Sequence, residues 1–455
     1  MSNFEHLRIL SLNCWGLKYV SKDRVTRINA IANLLATASY DIVCLQELFV
    51  SQDFETIRAA LSNSLPFVKL FHGGAVGQGL AIFSRFAIVA SNIQQYSLNG
   101  SPLDLVGADW FAGKGAASIL IKHPVLGQIC IFNTHVRSLL SEYIAMNIIT
   151  CQFFSEGGDD GPEYQRAHRL VNAWEFAKLV KQAAESGQHV IAVGDLNSAP
   201  HTLPMAILLQ HAGLVDAWGT LHPSPEPSQR DANAVDALTL YGFTYDSPVN
   251  TYSTSVRPGP HGSIPQGKRL DYILFRNPAH PMLPQLIPTE ANVALTDLVP
   301  GHDFSYSDHF GVEAVFEINY PEPKDLLLSD GPTDGRIQSS TSTTDPNHRE
   351  SPHISRTHII EMLDALKTHL NRHSVRAQWE LRIFAGCMVS LVCILVGTGW
   401  SPRGSLTPLF VFLGAFATWL GTTMFYVGFM YGRWEASLLR NVIDELELYV
   451  HGIID

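Results

Sequence analysis

The stretch HVIAVGDLNSAP, His189 to Pro200, decides the fold. Val190 to Gly194 run small and apolar without a break, as a buried strand does. The run then meets Asp195 and Asn197, and Pro200 ends the segment. A buried strand that stops on a carboxylate and an amide places polar atoms at the edge of a sheet.

Five further segments end or begin a strand-like run in the same way. They carry Asn13 in SLNCWG, Glu47 in CLQEL, His135 in FNTHV, Asp271 in RLDYIL, and Asp308 with His309 in YSDHFG. Singly, each reads more readily as a turn former, a helix cap or a satisfied core polar group. Together they are different, because clustered carboxylates repel and are costly to desolvate unless a cation or protons sit among them. Carboxylate and amide oxygens without thiolates are hard ligands, suited to Mg²⁺, Mn²⁺ or Ca²⁺. With imidazoles nearby to move protons, such a set fits metal-assisted hydrolysis of a phosphate ester.

Outward from these strand ends, residues 8 to 320 alternate short β-rich runs with amphipathic helices. DRVTRINAIANLLATA puts Val25, Ile28, Ile31, Ala32 and Leu35 on one helical face. ASILIKHPVLGQICIFNTHV predicts a hairpin turning at Pro124 to Gly127. Helices are expected over 163–185 and 204–211, and late strands in RLDYILFRN and HFGVEAVFEI. This mixed order predicts an α/β or α+β sandwich with sheets inside and helices outside.

At 455 residues the chain exceeds one ordinary domain, and 46% hydrophobic against 16% charged residues excludes bulk disorder. Residues 321–352 are rich in Pro, Ser, Thr and Asp and read as a flexible linker. Residues 353–382 carry Ile359, Met362, Leu363, Leu366 and Leu370 at helical spacing, and 432–455 are also amphipathic. Between them, 383–400 and 405–431 hold no charge over 18 and 27 positions, long enough for two membrane helices. Buried core helices of a soluble domain are the competing reading. Lys367, Arg372, Arg376 and Arg382 before the pair, with Arg433 and Arg440 after it, place both long flanks in the cytosol. MSNFEHLRIL lacks the basic and apolar regions of a signal peptide, so residues 1–320 are expected to be cytosolic too. Six cysteines without CxxC spacing indicate neither a disulfide framework nor a zinc site. A formal charge of −11 argues against a nucleic-acid binder working through a broad basic face.

The ordered set N…LQE…NTH…GDLN…RLDYI…SDH resembles the endonuclease/exonuclease/phosphatase superfamily over residues 8–318. Within it the chain looks like the neutral sphingomyelinase branch, and most like the fungal inositol phosphosphingolipid phospholipases C. LNCWGL, GADWFAGKGAAS and the C-terminal apolar pair carry that closer match. The resemblance implies a DNase I-like four-layer α/β sandwich. It implies Glu47 as the Mg²⁺ ligand, supported by Asn13, with Asp308 completing the shell. His309 resembles the general base, oriented by Asp271. Asp195 would position or help deprotonate the attacking water, and Asn197 and His135 would bind the scissile phosphate. Whether His309 or Asp195 takes the proton stays open at this level. Phe310 and Gly311 follow SDH where nucleases commonly have proline, a departure that weakens a DNA reading.

DWFAGKGA resembles the P-loop-like element of this branch but lacks the full GxxxxGK[ST] pattern, so a nucleotide is not expected. Its glycines make a turn in the plain reading. In the functional one Lys114 meets a substrate or anionic-lipid phosphate and Asp109 holds it or gates access. The expectation is a membrane-anchored, Mg²⁺-dependent phosphodiesterase, with Mn²⁺ as the substitute ion, that cleaves phosphosphingolipids to ceramide and a phosphorylated head group. Its partners would be the lipid bilayer and anionic phospholipids, with no nucleic acid. Endoplasmic reticulum, with mitochondrial association, is the location the resemblance implies. A nuclease, an inositol-phosphate phosphatase and a silent membrane scaffold are the rival readings.

Overall fold

The computed structural model describes residues 5–103, 109–136, 163–222, 233–253, 267–280, 282–320, 353–400 and 404–452. The expected linker, 321–352, and the loop 137–162 lie outside the described residues. Contacts divide the chain into two compact units. The first comprises 1–99, 108–139 and 172–354, the second 100–107, 140–171 and 355–455.

The first unit holds twelve strands among the described residues. These are β1 (His6–Asn13), β2 (Ile42–Gln46), β3 (Phe67–Phe71), β4 (Leu80–Ser84), β5 (Ile88–Gln95) and β6 (Gly115–His123), then β7 (Gly127–His135), β8 (His189–Asp195), β9 (Val215–Asp216), β10 (Asp271–Arg276), β11 (Gln285–Ala294) and β12 (Gly311–Asn319). They form two six-stranded sheets, ordered β11-β12-β1-β2-β4-β3 and β5-β6-β7-β8-β10-β9. Strand periodicity builds the layers. Leu7 and Ile9 of β1 join Ile131, Ile191 and Ile273 of the other sheet in one core, whereas Leu10 and Leu12 face the other way onto Ile28, Ile31, Leu35 and Ile57 of the outer helices. This is the expected four-layer arrangement.

Helix Arg24–Thr37 departs from the expected face: Val25 is 60% exposed and Arg27 is buried in its place. Periodicity assigns the stripe to apolar residues, and a charged residue enters it only when its donors are satisfied inside. The helix expected over 204–211 is a short α-turn, Leu203–Ala206, continued by a π-turn, Ile207–His211.

The register brings the polar residues to the strand ends on one side of the two sheets. β1 and β2 run parallel with Asn13 opposite Gln46, and β7 and β8 run parallel with His135 opposite Asp195. Antiparallel β10 starts with Asp271 opposite Asp195. β12, antiparallel to β1, starts just after His309. Gly194 makes the close approach of β7 and β8 workable: a Cβ there would lie 1.9 Å from the Thr134 carbonyl oxygen.

In the second unit, helix Arg356–Trp400 runs unbroken for 45 residues through both segments read separately in the sequence. Thr407–Phe425, a π-turn over Tyr426–Tyr431 and Gly432–Gly452 follow. Arg356–Trp400 and the continuous helical run Thr407–Gly452 are both apolar enough to cross a membrane, and only 6% and 17% of their most apolar 18-residue stretches are buried. A soluble core helix would bury that surface. At Gly421 a Cβ would lie 3.1 Å from Cys387 Cβ, so a small residue lets the two helices close.

Candidate active site

Asn13 ties the first sheet to the second. Its Nδ2 donates to Glu47 Oε1 at 3.1 Å and to Asp195 Oδ2 at 3.2 Å. Its Oδ1 accepts from the Trp15 amide at 3.0 Å, which fixes which end of the amide faces the carboxylates. Glu47 follows β2 with φ at 55°, a left-handed turn out of the strand. Asn197, at φ 45°, turns back after β8, its amide N–H bonding Asp195 Oδ1 at 2.9 Å and its Nδ2 the Val136 carbonyl at 3.1 Å.

His135 Nε2 lies 3.5 Å from Asp195 Oδ2 and 3.8 Å from Glu47 Oε1. Lys114 Nζ sits 3.1 Å from the same nitrogen and donates to the Val136 carbonyl at 3.1 Å. Lys114 is only 4% exposed, so its ammonium belongs to the floor of the site and not to the outer surface. Asp109 begins the short helix Asp109–Ala112, but its side chain lies outside the described residues. On the other flank, His309 Nδ1 lies 2.8 Å from Asp271 Oδ2, and His309 Nε2 faces Asp195 Oδ2 at 3.7 Å. Asp308 precedes it, with Oδ1 3.3 Å from Ser307 Oγ. All ten residues singled out in the sequence therefore lie in the first unit, and direct contacts knit eight of them together where strand ends of the two sheets meet.

Electrostatics follow from burial. Desolvation raises the Glu47 carboxyl above its ordinary value, opposed by the Asn13 hydrogen bond. It pushes Asp195 and Asp308 each up to about 6, against the pull of His309. Burial, then Lys114 and His309, hold His135 well below the usual imidazole value and neutral. Burial also disfavours the His309 cation, but Asp271 and Asp195 outweigh it and raise that group well above its ordinary value. Several buried carboxylates, each disfavoured in its charged form, with amide and imidazole neighbours, are a donor set fitted to a hard divalent cation.

The sequence reading missed the layer behind. Gln46 Nε2 donates to Asn133 Oδ1 at 2.8 Å, and Asn133 Nδ2 donates to the Leu45 and Ala81 carbonyls at 2.9 and 3.0 Å. This polar staple joins the sheets next to Glu47 and His135; its signal was two amides inside apolar strands. Tyr245 stacks obliquely on His309, with ring centroids 4.7 Å apart.

Among the described residues, two side-chain groups could hold a metal ion: Asp195, Asp271 and His309 here, and His168, His369 and Glu435 in the second unit. In the latter, Gly100 N–H donates to His168 Nδ1 at 3.2 Å, so the ring's proton sits on Nε2, 3.0 Å from Glu435 Oε1. His369 Nε2 meets that oxygen at 2.9 Å. The second group is thus a hydrogen-bonded carboxylate, with His168 Nε2 unable to ligate in that tautomer.

The model of the Endonuclease/Exonuclease/phosphatase family matches residues 10–309, a span containing all ten residues singled out in the sequence. The chain belongs to this family. Its likeness to an inositol phosphosphingolipids phospholipase C of Schizosaccharomyces pombe is 31% identity, over 97% of this chain and 93% of that protein. To sphingomyelin phosphodiesterase 2 of Rattus norvegicus it is 28% identical, over 86% of this chain and 78% of the relative. Beta toxin from Staphylococcus aureus matches in structure with a TM-score of 0.46 at 18% identity, covering 68% of this chain and 99% of that one. As a member of the Endonuclease/Exonuclease/phosphatase family in the branch of these relatives, the chain is a phosphoric ester hydrolase.

Proposed function

We propose that the protein is a membrane-anchored, Mg²⁺-dependent phosphodiesterase that cleaves phosphosphingolipids in the phospholipase C manner, releasing ceramide and a phosphorylated head group. The observation that carries the reading is the convergence of Glu47, Asn13, Asp195, His135, Asp271 and His309 where strand ends of the two sheets meet. The substrate class is supported by the names of the relatives, and the anchor by the two apolar helices.

Glu47 would hold Mg²⁺, or Mn²⁺ in its place, with Asp308 nearby. Asn13 would support the ion by orienting Glu47 through Nδ2, while its Oδ1, which accepts from the Trp15 N–H, keeps a second lone pair for the ion. Bound metal supplies neutralising charge to the phosphoryl oxygens. Asp271 accepts the Nδ1 proton of His309 and leaves Nε2 to take a proton from water held by Asp195. That tautomer makes His309 the proposed base and Asp195 the group that orients the nucleophile. Asn197, His135 and Lys114 bind the scissile phosphate, Lys114 as a point charge. Water attacks phosphorus in line with the departing ceramide oxygen. The cytosolic face of the endoplasmic reticulum is the proposed home, with anionic phospholipids as second ligands.

The test is lipid-product analysis of the purified full chain, offered inositol phosphoceramide, sphingomyelin and DNA in parallel with Mg²⁺. Ceramide release with intact DNA is expected; DNA cleavage without ceramide would return the site to the nuclease reading.

A further inference from the structure

Arg27 is 0% exposed, and each of its guanidinium and Nε hydrogen bonds goes to a main-chain carbonyl. Nε reaches Lys22 at 2.9 Å, Nη1 reaches Cys14 at 2.9 Å and Tyr306 at 3.0 Å, and Nη2 reaches Trp15 at 2.8 Å. The rings of Trp15 and Tyr252 cover the guanidinium at 4.8 and 5.6 Å. Burying such a charge is expensive, and helix packing alone would be served as well by a leucine.

The carbonyls it selects belong to two loops that the fold does not otherwise join in sequence. Cys14 and Trp15 follow Asn13, and Tyr306 lies just before Asp308 and His309. Trp15 holds a left-handed backbone, φ 47°, and its N–H bonds Asn13 Oδ1, which leaves Asn13 Nδ2 for Glu47 and Asp195. Gly16 N–H then bonds the Glu47 carbonyl at 3.0 Å. One planar fork thus grips the turn behind Asn13 and Glu47 and the loop behind Asp308 and His309. Ser307 Oγ adds a second tie, donating to the Asn13 carbonyl at 2.7 Å.

We propose that Arg27 is a positioning residue that sets the register between the Asn13–Glu47 side and the Asp308–His309 side of the site. The inference rests on the proposed function, since register matters only if both sides act on one phosphate. A lysine in its place would keep the charge but offer no fixed plane of donors to two loops at once.

The test compares Arg27→Lys with wild type in the full chain, reading thermal stability, Mg²⁺ affinity by calorimetry, and kcat and KM for a short-chain phosphosphingolipid. Loss of register predicts a fall in kcat of about 10²-fold with KM nearly unchanged, since small misplacements are felt in the transition state. It also predicts weaker Mg²⁺ binding, by about tenfold, in the range seen for groups that orient metal ligands. A lower melting temperature with kcat and Mg²⁺ affinity unchanged would reduce Arg27 to a packing residue and overturn the proposal. If Arg27→Lys does not fold, Arg27→Gln keeps one planar amide donor but cannot reach both loops: a kcat loss at unchanged KM with weaker Mg²⁺ binding supports the register, and unchanged kcat and Mg²⁺ affinity overturn it. Calorimetry needs no substrate, so a wild type that binds Mg²⁺ but releases no ceramide sinks the functional reading separately from this one.

Discussion

His309 Nδ1 lies 2.8 Å from Asp271 Oδ2, both side chains buried, and the pairing leaves His309 Nε2 directed at Asp195. A base must be unprotonated to act. Despite the cost of burial, Asp271 and Asp195 raise the His309 proton affinity well above the ordinary imidazole value. Activity should therefore rise with pH through that raised value. Asp271→Asn removes the larger of the two charge effects, so the rising limb should move to lower pH while kcat falls by about 10²- to 10⁴-fold. A pH–rate profile checks both signs. An unmoved limb would detach Asp271 from the base.

Glu47 bears the cost of a buried carboxylate, which raises its carboxyl above the ordinary value. Glu47→Gln should abolish turnover and the thermal stabilisation that Mg²⁺ gives, because a ligand stabilises only the state that binds it. In EDTA the variant should melt no lower than wild type, since the charge it loses was unpaired by metal there. Thermal scans with and without Mg²⁺ read this directly. A wild-type Mg²⁺ shift in the variant would move the ion away from Glu47.

Lys114 Nζ is buried 3.1 Å from His135 Nε2. Lys114→Ala should lower activity equally on anionic and neutral mixed micelles, as a contact with the substrate phosphate would. A loss confined to anionic micelles would return Lys114 to a surface-lipid role.

Much of the site was legible because a strand end is a local signal. The apolar run up to Asp195 and the acid that opens RLDYIL each announce a sheet edge without knowledge of the partner strand. Which edges meet is set by register, and periodicity does not carry it. Arg27 was illegible for a related reason. Its acceptors are main-chain carbonyls of residues 14, 15, 22 and 306, and no side-chain pattern marks a carbonyl as needing a donor. Val25 took its place in the expected stripe, yet it is exposed. The Glu435 cluster gathers residues from 100, 168, 369 and 435, too far apart in sequence for spacing to join them.

Within the second unit, Glu435 accepts from His168 and His369 at 3.0 and 2.9 Å. Glu435→Ala should leave two buried imidazole N–H groups without this acceptor and cost roughly 2 kcal/mol or more. Thermal unfolding in detergent checks the loss. A variant as stable as wild type, with Zn²⁺ raising the melting temperature of the wild type alone, would replace the hydrogen-bonded reading with a metal site.

The central claim is that this floor directs water to the phosphorus of a phosphosphingolipid. The most direct measurement is the fate of heavy oxygen when the full chain turns over inositol phosphoceramide or sphingomyelin in labelled water with Mg²⁺. The label should appear in the phosphorylated head group, with ceramide unlabelled, and should vanish with Glu47→Gln. Label in ceramide, or ceramide released with no label in the phosphorylated head group, would contradict the account.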